Sequence, residues 1–208
     1  MKKLLFSCLG LVCITLFFGC RGGASDSVKA SKDSNAARIN SRMKGDSAGS
    51  TIMLSKADAD FVVDAVSGDM MEVEMGKVAQ THSASPRVKG FGNMMIRDGG
   101  EGMKELRRLA ERRHVVLPDS ISVRQQEEIK KLRKKKGDDF DQAYVRLVAE
   151  HHREDVEEFG KQASDGTDSL TRVFASKSLQ MLHRHLDSVN KLEGMLGLNK
   201  INKPMPPH

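Results

Sequence analysis

Residues 60–80 read DFVVDAVSGDMMEVEMGKVAQ, and their apolar and small side chains recur with a helical period rather than the alternation a strand requires. Advancing about 100° per residue places Phe61, Ala65, Gly68, Glu72, Gly76 and Ala79 on one stripe. Small residues dominate that stripe, so a neighbouring helix can come close. One carboxylate sits in the middle of it, and any packing of this helix has to account for Glu72.

The same period extends in both directions. Ser55, with Asp58 three residues on, is a helix start, and the first helix runs to about Thr81. Ser85-Pro86 opens a second helix that reaches about His114. A connection from Val115 to Gln125 carries Leu117-Pro118, and a short basic helix follows to Lys136-Gly137. Asp138 or Asp139 is expected to cap the next long helix, which Asp165-Gly166 stops after about Ser164. Thr167 or Asp168 starts a last helix ending near Gly197. Convincing strand alternation is lacking, so the chain reads as all-α. Four long helices with two short connections and one long middle crossover, strapped by a short helix, predict a ferritin-like four-helix bundle over 55–197. A plain up-and-down bundle is the alternative. The tail 198–208, with Pro204, Pro206 and Pro207, is expected to be disordered.

The first twenty residues predict an address. Lys2 and Lys3 precede an apolar run from Leu4 to Phe18, and Gly19-Cys20 closes it. The run is too short to span a bilayer as a helix and suits a lipoprotein signal peptide over 1–19, with lipid attached at Cys20. Cys8 and Cys13 would leave with the signal, so no disulfide is expected. Residues 20–54 are rich in Ser, Gly, Asp, Lys, Arg and Asn, and read as a flexible tether. The net charge of +6 drops to +4 without Lys2 and Lys3, and the chain has one Tyr and no Trp. Single-strand nucleic-acid binding needs aromatic platforms beside its charge and has no support here, and an exported protein is expected to have no nucleic-acid partner.

The inward stripes of the other long helices also carry polar residues. Asp98 lies at the edge of Val88, Phe91, Met95, Gly99, Gly102, Leu106 and Leu109. Asp155, with His151 and His152 beside it, accompanies Phe140, Tyr144, Leu147, Val148 and Phe159. His185 shares a face with Phe174, Met181, Leu182, Val189 and Leu192, whereas His183 points away. Buried charge is costly unless paired or metal-bound. Glu72, Asp98, His152, Asp155 and His185 are therefore candidate metal ligands, oxygen and imidazole donors that suit iron, manganese or zinc. The alternative is a buried carboxylate–histidine network that fixes helix register. A carboxylate-bridged metal pair would use Glu-x-x-His on two helices. The one such spacing, Glu111 to His114, lies off the apolar stripe beside two arginines, so at most one weakly bound divalent ion is expected.

Other signals are weaker. Met70, Met71, Met75, Met94, Met95 and Met103 form a thioether set that copper could use, but helical spacing also suits core filling. The basic run Lys130, Lys131, Arg133, Lys134, Lys135 and Lys136 reads as a solvated face, with anionic headgroups as the alternative. Neither a Ser-His-Asp order nor a phosphate-binding glycine loop is present to support nucleophilic catalysis.

Phe61 to Ala79 with its Gly68-to-Glu74 segment, Met95-Ile96-Arg97-Asp98, Phe140-Asp141-x-x-Tyr144, His152 and Leu182-x-x-His185-Leu186 together resemble an uncharacterised ferritin-like domain family of bacterial periplasmic proteins and lipoproteins. The resemblance covers roughly residues 57–193 and implies a ferritin-like bundle outside the cytoplasm with no established activity. Members of that family usually carry Asp-His where this chain has Asp98-Gly99, and a proline near Gln180. The resemblance therefore implies a site altered here by loss of a histidine. The expected protein is lipid-anchored at the outer membrane, facing the periplasm or the cell surface, and binds a ligand or protects the envelope under stress. A metal-dependent redox enzyme using Glu72, Asp98, His152 and His185, and an envelope scaffold that binds another protein, are the alternatives.

Overall fold

Ser55 begins the first long helix of the core as expected, its Oγ accepting the Asp58 amide at 3.1 Å. The computed structural model describes residues 26–45 and 54–198, and all its regular structure is helical. In chain order the helices are α1 (Ser27–Gly45), α2 (Lys56–His82), α3 (Pro86–Arg113), α4 (Val123–Leu132), α5 (Gly137–Asp165) and α6 (Ser169–Met195). The expected signal peptide over 1–19, Cys20 and the tail beyond residue 198 lie outside the described residues.

Local chemistry explains most boundaries. Ser85 caps α3 with Pro86 at its first position, and Ser122 and Gln125 close a reciprocal capping box on α4. Asp168 Oδ1 accepts the amides of Leu170 and Thr171 at 2.9 and 3.1 Å to start α6. The start of α5 departs from expectation: neither Asp138 nor Asp139 caps it. Gly137 turns the chain with φ +57°, a conformation that favours glycine, and the two aspartates occupy the first turn, where they complement the helix dipole.

Helices α2 and α3 form one antiparallel hairpin, α5 and α6 another. The hairpins pack side by side, α2 on α5 and α3 on α6. At one end Asp141 of α5 accepts the Ser83 hydroxyl, and the Ser85 amide at 3.0 Å, tying the α2–α3 turn to the start of α5. At the other end Arg113, finishing α3, pairs with Asp168 at 2.7 Å. The stretch between α3 and α5 therefore returns the length of the molecule, and α5 runs antiparallel to α2. Within it, α4 touches both α2 and α5, and Glu128 meets His151 at 3.0 Å.

The glycines of α2 and α3 explain how the first hairpin closes. A Cβ on Gly76 would stand 2.4 Å from the Gly92 carbonyl oxygen, and one on Gly92 would stand 3.0 Å from Ala79 Cβ. The small stripe of α2 thus meets the glycines of α3 backbone to backbone. Two apolar clusters fill the interior: one around Met71, Phe91, Met95, Tyr144 and Val189, the other around Phe61, Val66, Leu106, Phe159 and Phe174. Met71, Met75 and Met95 are buried in the first cluster as core filler. Lys130, Lys131, Lys134, Lys135 and Lys136 are exposed, and Arg133 pairs with Glu74 at 2.7 Å.

Helix α1 is a departure from the expected tether over 20–54. It carries few large apolar residues, yet it packs on α2. Polar contacts hold it: Asn35 Nδ2 donates to the Val116 carbonyl at 2.9 Å while its Oδ1 accepts the Val116 amide at 2.8 Å. Ser27 Oγ donates to Asp119 at 2.6 Å, and Lys32 pairs with Asp64 at 2.5 Å.

The buried Asp58 ties the starts of α2 and α6 to the end of α5. It accepts Ser55 Oγ at 2.7 Å, Gln162 Nε2 at 2.6 Å, the Thr167 amide at 3.1 Å, the Asp168 amide at 3.2 Å, and the Thr167 hydroxyl. Burial pushes its carboxyl up, but the hydrogen bonds from Thr167, Gln162 and Ser55 outweigh this, so its pKa lies below the ordinary 3.8. Its stabilisation is therefore complete above that value and fades as acid protonates the folded form. Asp58→Ala should cost about 3 kcal/mol in denaturant unfolding at neutral pH. The difference between wild type and variant should shrink below pH 4, read from paired urea titrations.

Candidate metal centre

Each long helix presents one polar side chain at the level where the two apolar clusters meet. Glu72 of α2, His152 of α5 and His185 of α6 are buried, and Asp98 of α3 is half-buried behind His185. His183 is exposed, as its phase on α6 predicts. Glu72 Oε1 stands 3.4 Å from His152 Nε2, which stands 3.2 Å from His185 Nδ1. One ligand atom from each of the three residues lies within 4.8 Å of the other two. Phe91 walls the group, its ring centroid 6.5 Å from His152 and 6.2 Å from His185.

The outer nitrogens of both rings fix their tautomers. His152 Nδ1 stands 3.0 Å from the Val148 carbonyl, which can only accept, so the proton is on Nδ1. His185 Nε2 stands 2.9 Å from Asp98 Oδ2, so it carries a proton toward that carboxylate. Burial pushes Asp98 up, but its contacts with Arg97 and His185 hold it below the ordinary range, which keeps it an acceptor. His152 Nε2 and His185 Nδ1 are left as lone pairs facing each other, with a carboxylate oxygen beside them. Three donors of electron density therefore point at one place.

A second imidazole proton is a poor remedy. Burial, and then the neighbouring His185, push His152 down to about 3, and burial also lowers His185 despite Asp98. Glu72 is raised by burial and by the nearby Asp69, Asp155 and Asp98. A divalent cation satisfies all three lone pairs at once. Two histidines and one carboxylate form the ligand set of open non-haem iron sites, and manganese and zinc also accept such donors. Asp98 and the Val148 carbonyl supply the outer hydrogen bonds that orient metal-binding imidazoles.

Of the five candidate residues, the structure brings Glu72, His152 and His185 together. Asp98 acts through His185, and Asp155 stands apart from the triad, facing a cavity of about 240 Å³ between α2, α4 and α5 that reaches Glu72 and His152. Burial, Glu158 and Glu154 raise Asp155 to about 7. A smaller cavity of about 30 Å³ touches Asp69, Glu72 and Asp155. Glu111 and His114 are exposed, as the position of their motif predicts.

Two residues of this neighbourhood were not singled out by the sequence. Asp69 lies one helical turn before Glu72, and that spacing was the available signal. Its Oδ2, Glu72 Oε2 and the Tyr144 hydroxyl are buried with no hydrogen-bond partner among the described residues. Burial and Glu72 push the Tyr144 phenol up, so it stays protonated; the sequence marked it as a core position and as part of the Phe140-Asp141-x-x-Tyr144 motif, but not as a neighbour of the site. Gly102 accommodates Asp69, since a Cβ there would stand 2.4 Å from Oδ2. A Cβ at Gly99 would lie 3.3 Å from Glu72 Oε2, so glycine leaves that side of the carboxylate open.

The arrangement favours ligand binding over metal-free stability. Replacing Glu72 by glutamine supplies a permanent N–H to the facing lone pairs and removes a carboxyl whose ionised form burial and the neighbouring acids penalise. Glu72→Gln should raise the stability of metal-free protein by about 1 kcal/mol in thermal or urea unfolding. Were Glu72 a purely structural partner of His152, the same change would destabilise.

No curated protein and no solved structure matches the chain. The model of a domain of unknown function, DUF4142, matches residues 44–192, a span that holds Glu72, Asp98, His152, Asp155 and His185. The match covers well over half of the 208 residues, and the chain belongs to the DUF4142 family.

Proposed function

We propose that this protein is a metal-binding, ferritin-like bundle that holds one divalent transition-metal ion, iron, manganese or zinc, on Glu72, His152 and His185. The observation that carries this reading is the convergence of two tautomer-fixed imidazole lone pairs and a carboxylate in the core. Three protein ligands beside a cavity leave coordination positions for water or a small ligand. The two-hairpin arrangement with a long middle crossover supports the ferritin-like assignment.

The ligand set favours binding, and envelope stress protection through metal sequestration fits it. A metal-dependent redox enzyme is the second reading, supported by the open cavity beside the triad. Its protein side would be simple: Glu72, His152 and His185 hold the ion, Asp98 orients His185, and Phe91 excludes water from the far side. The ion would supply Lewis acidity or an electron. Lipid attachment at Cys20 and an outer-membrane location remain part of the proposal, on the basic, apolar and Gly-Cys order of residues 1–20.

Purified without chelator or histidine tag, the mature protein should bind about one equivalent of Zn²⁺ or Co²⁺ by calorimetry. At a hundredfold excess of free metal over Kd it should gain about 2.7 kcal/mol of stability. His152→Ala and His185→Ala should each abolish uptake and that gain at the metal concentration that saturates the wild type. Cofolding without metal uptake in the wild type would instead support a register-fixing network.

Cys20→Ser should release the protein from the membrane fraction and remove its lipid, read by fractionation and mass spectrometry. A wild-type mature N-terminus other than a lipidated Cys20 would refute the address.

A further inference from the structure

We propose that divalent cations reach the triad through a carboxylate-lined passage that opens at Glu158 and leads past Asp155 to Glu72. The proposal rests on the metal reading above and adds the route and the residue that governs loading.

The two cavities beside the triad share the walls Asp64, Gly68, Glu72, Asp155 and Glu158. Glu158 is exposed, Asp155 half-buried, and Asp69 and Glu72 buried, so the acids descend from solvent to a metal ligand. Two cations stand along this route, Lys32 at its outer wall and Arg124 in the larger cavity. Lys32 holds Asp64 at 2.5 Å, and Arg124 stands 3.6 Å from Glu154. Among the described residues, no ion pair engages Asp155 or Glu158.

The inner end carries an independent sign of a ligand. Asp69 and Glu72 line the smaller cavity, and Asp69 Oδ2 and Glu72 Oε2 are buried with no hydrogen-bond partner among the described residues. Each unmatched carboxylate carries a desolvation cost that a passing cation relieves. The larger cavity, about 240 Å³, has room for a hydrated ion. The smaller, about 30 Å³, holds one or two waters or a largely dehydrated ion. Carboxyl oxygens spaced along these cavities replace part of the water that an ion loses on entering, which lowers the barrier to passage in both directions.

Gly68 sits where the two cavities meet, and a Cβ there would meet nothing within 4 Å. Its side-chain space belongs to the passage, so a larger residue obstructs the route while every carboxylate stays in place.

The test is stopped-flow absorbance of Co²⁺ binding to metal-free, full-length mature protein in detergent, with equilibrium titration of the same samples. Asp155→Asn should slow association at least tenfold and slow dissociation by a similar factor, leaving Kd within about twofold, because a residue on the route alters the barrier in both directions. Gly68→Leu should do the same with the carboxylates intact. Wild-type loading rates in both variants would overturn the passage and leave the metal reading standing. If Asp155→Asn instead weakens Kd strongly, or removes one of two bound equivalents, Asp155 holds a resident ion and the passage is wrong. A wild type that takes up no Co²⁺ overturns the metal reading and the passage together.

Discussion

Two imidazole lone pairs and a carboxylate oxygen converge inside the packed helices, and no arrangement of protons already on the rings satisfies them. His152 is committed to the Val148 carbonyl through Nδ1, and His185 to Asp98 through Nε2. The facing atoms, 3.2 Å apart, cannot donate to one another in the neutral rings. A core built to native density does not keep such a convergence for packing alone, since an apolar group of similar volume would cost less. The surrounding features fit this constraint: Phe91 closes one side, the glycines of α3 make room for carboxylates on another, and an acidic cavity opens on the third.

Holding that convergence requires both ends of the helices to be fixed. Asp141 ties the α2–α3 turn to α5, and Asp58 ties the α5–α6 turn to α2. These aspartates resemble each other in their work: each is buried, accepts two or more hydrogen bonds, and sets the axial position of α5 against α2. A slip of one residue would turn His152 out by about 100° and bring His151 in. In the native register His151 instead faces α4 and meets Glu128.

Much of this was legible in the chain. The limits of α2, α3 and α6 follow from Ser55, Ser85-Pro86 and Asp168, because local caps decide them. Glu72 and His185 stood out as polar residues on apolar stripes, and the exposure of His183 followed from the same phase. Periodicity could not choose between Asp155 and His152 on α5, because phase read over a turn or more is uncertain by about a residue. Nor could it say that Asp98 lies behind His185 rather than beside the other ligands. The helix α1 was not legible, since its position depends on Asn35 reaching the backbone of Val116, 81 residues away. Orphaned oxygens such as Asp69 Oδ2 exist only once the helices are placed together.

X-ray absorption at the metal edge of the Zn²⁺-loaded wild-type protein reads the ligand set itself. A first shell of nitrogen and oxygen at about 2.0–2.2 Å, without sulfur, is expected. Outer-shell scattering should come from two imidazoles, reduced to one in His185→Ala protein forced to bind at high metal concentration. A spectrum with no imidazole scattering, or with thioether sulfur in the first shell, would contradict binding by Glu72, His152 and His185.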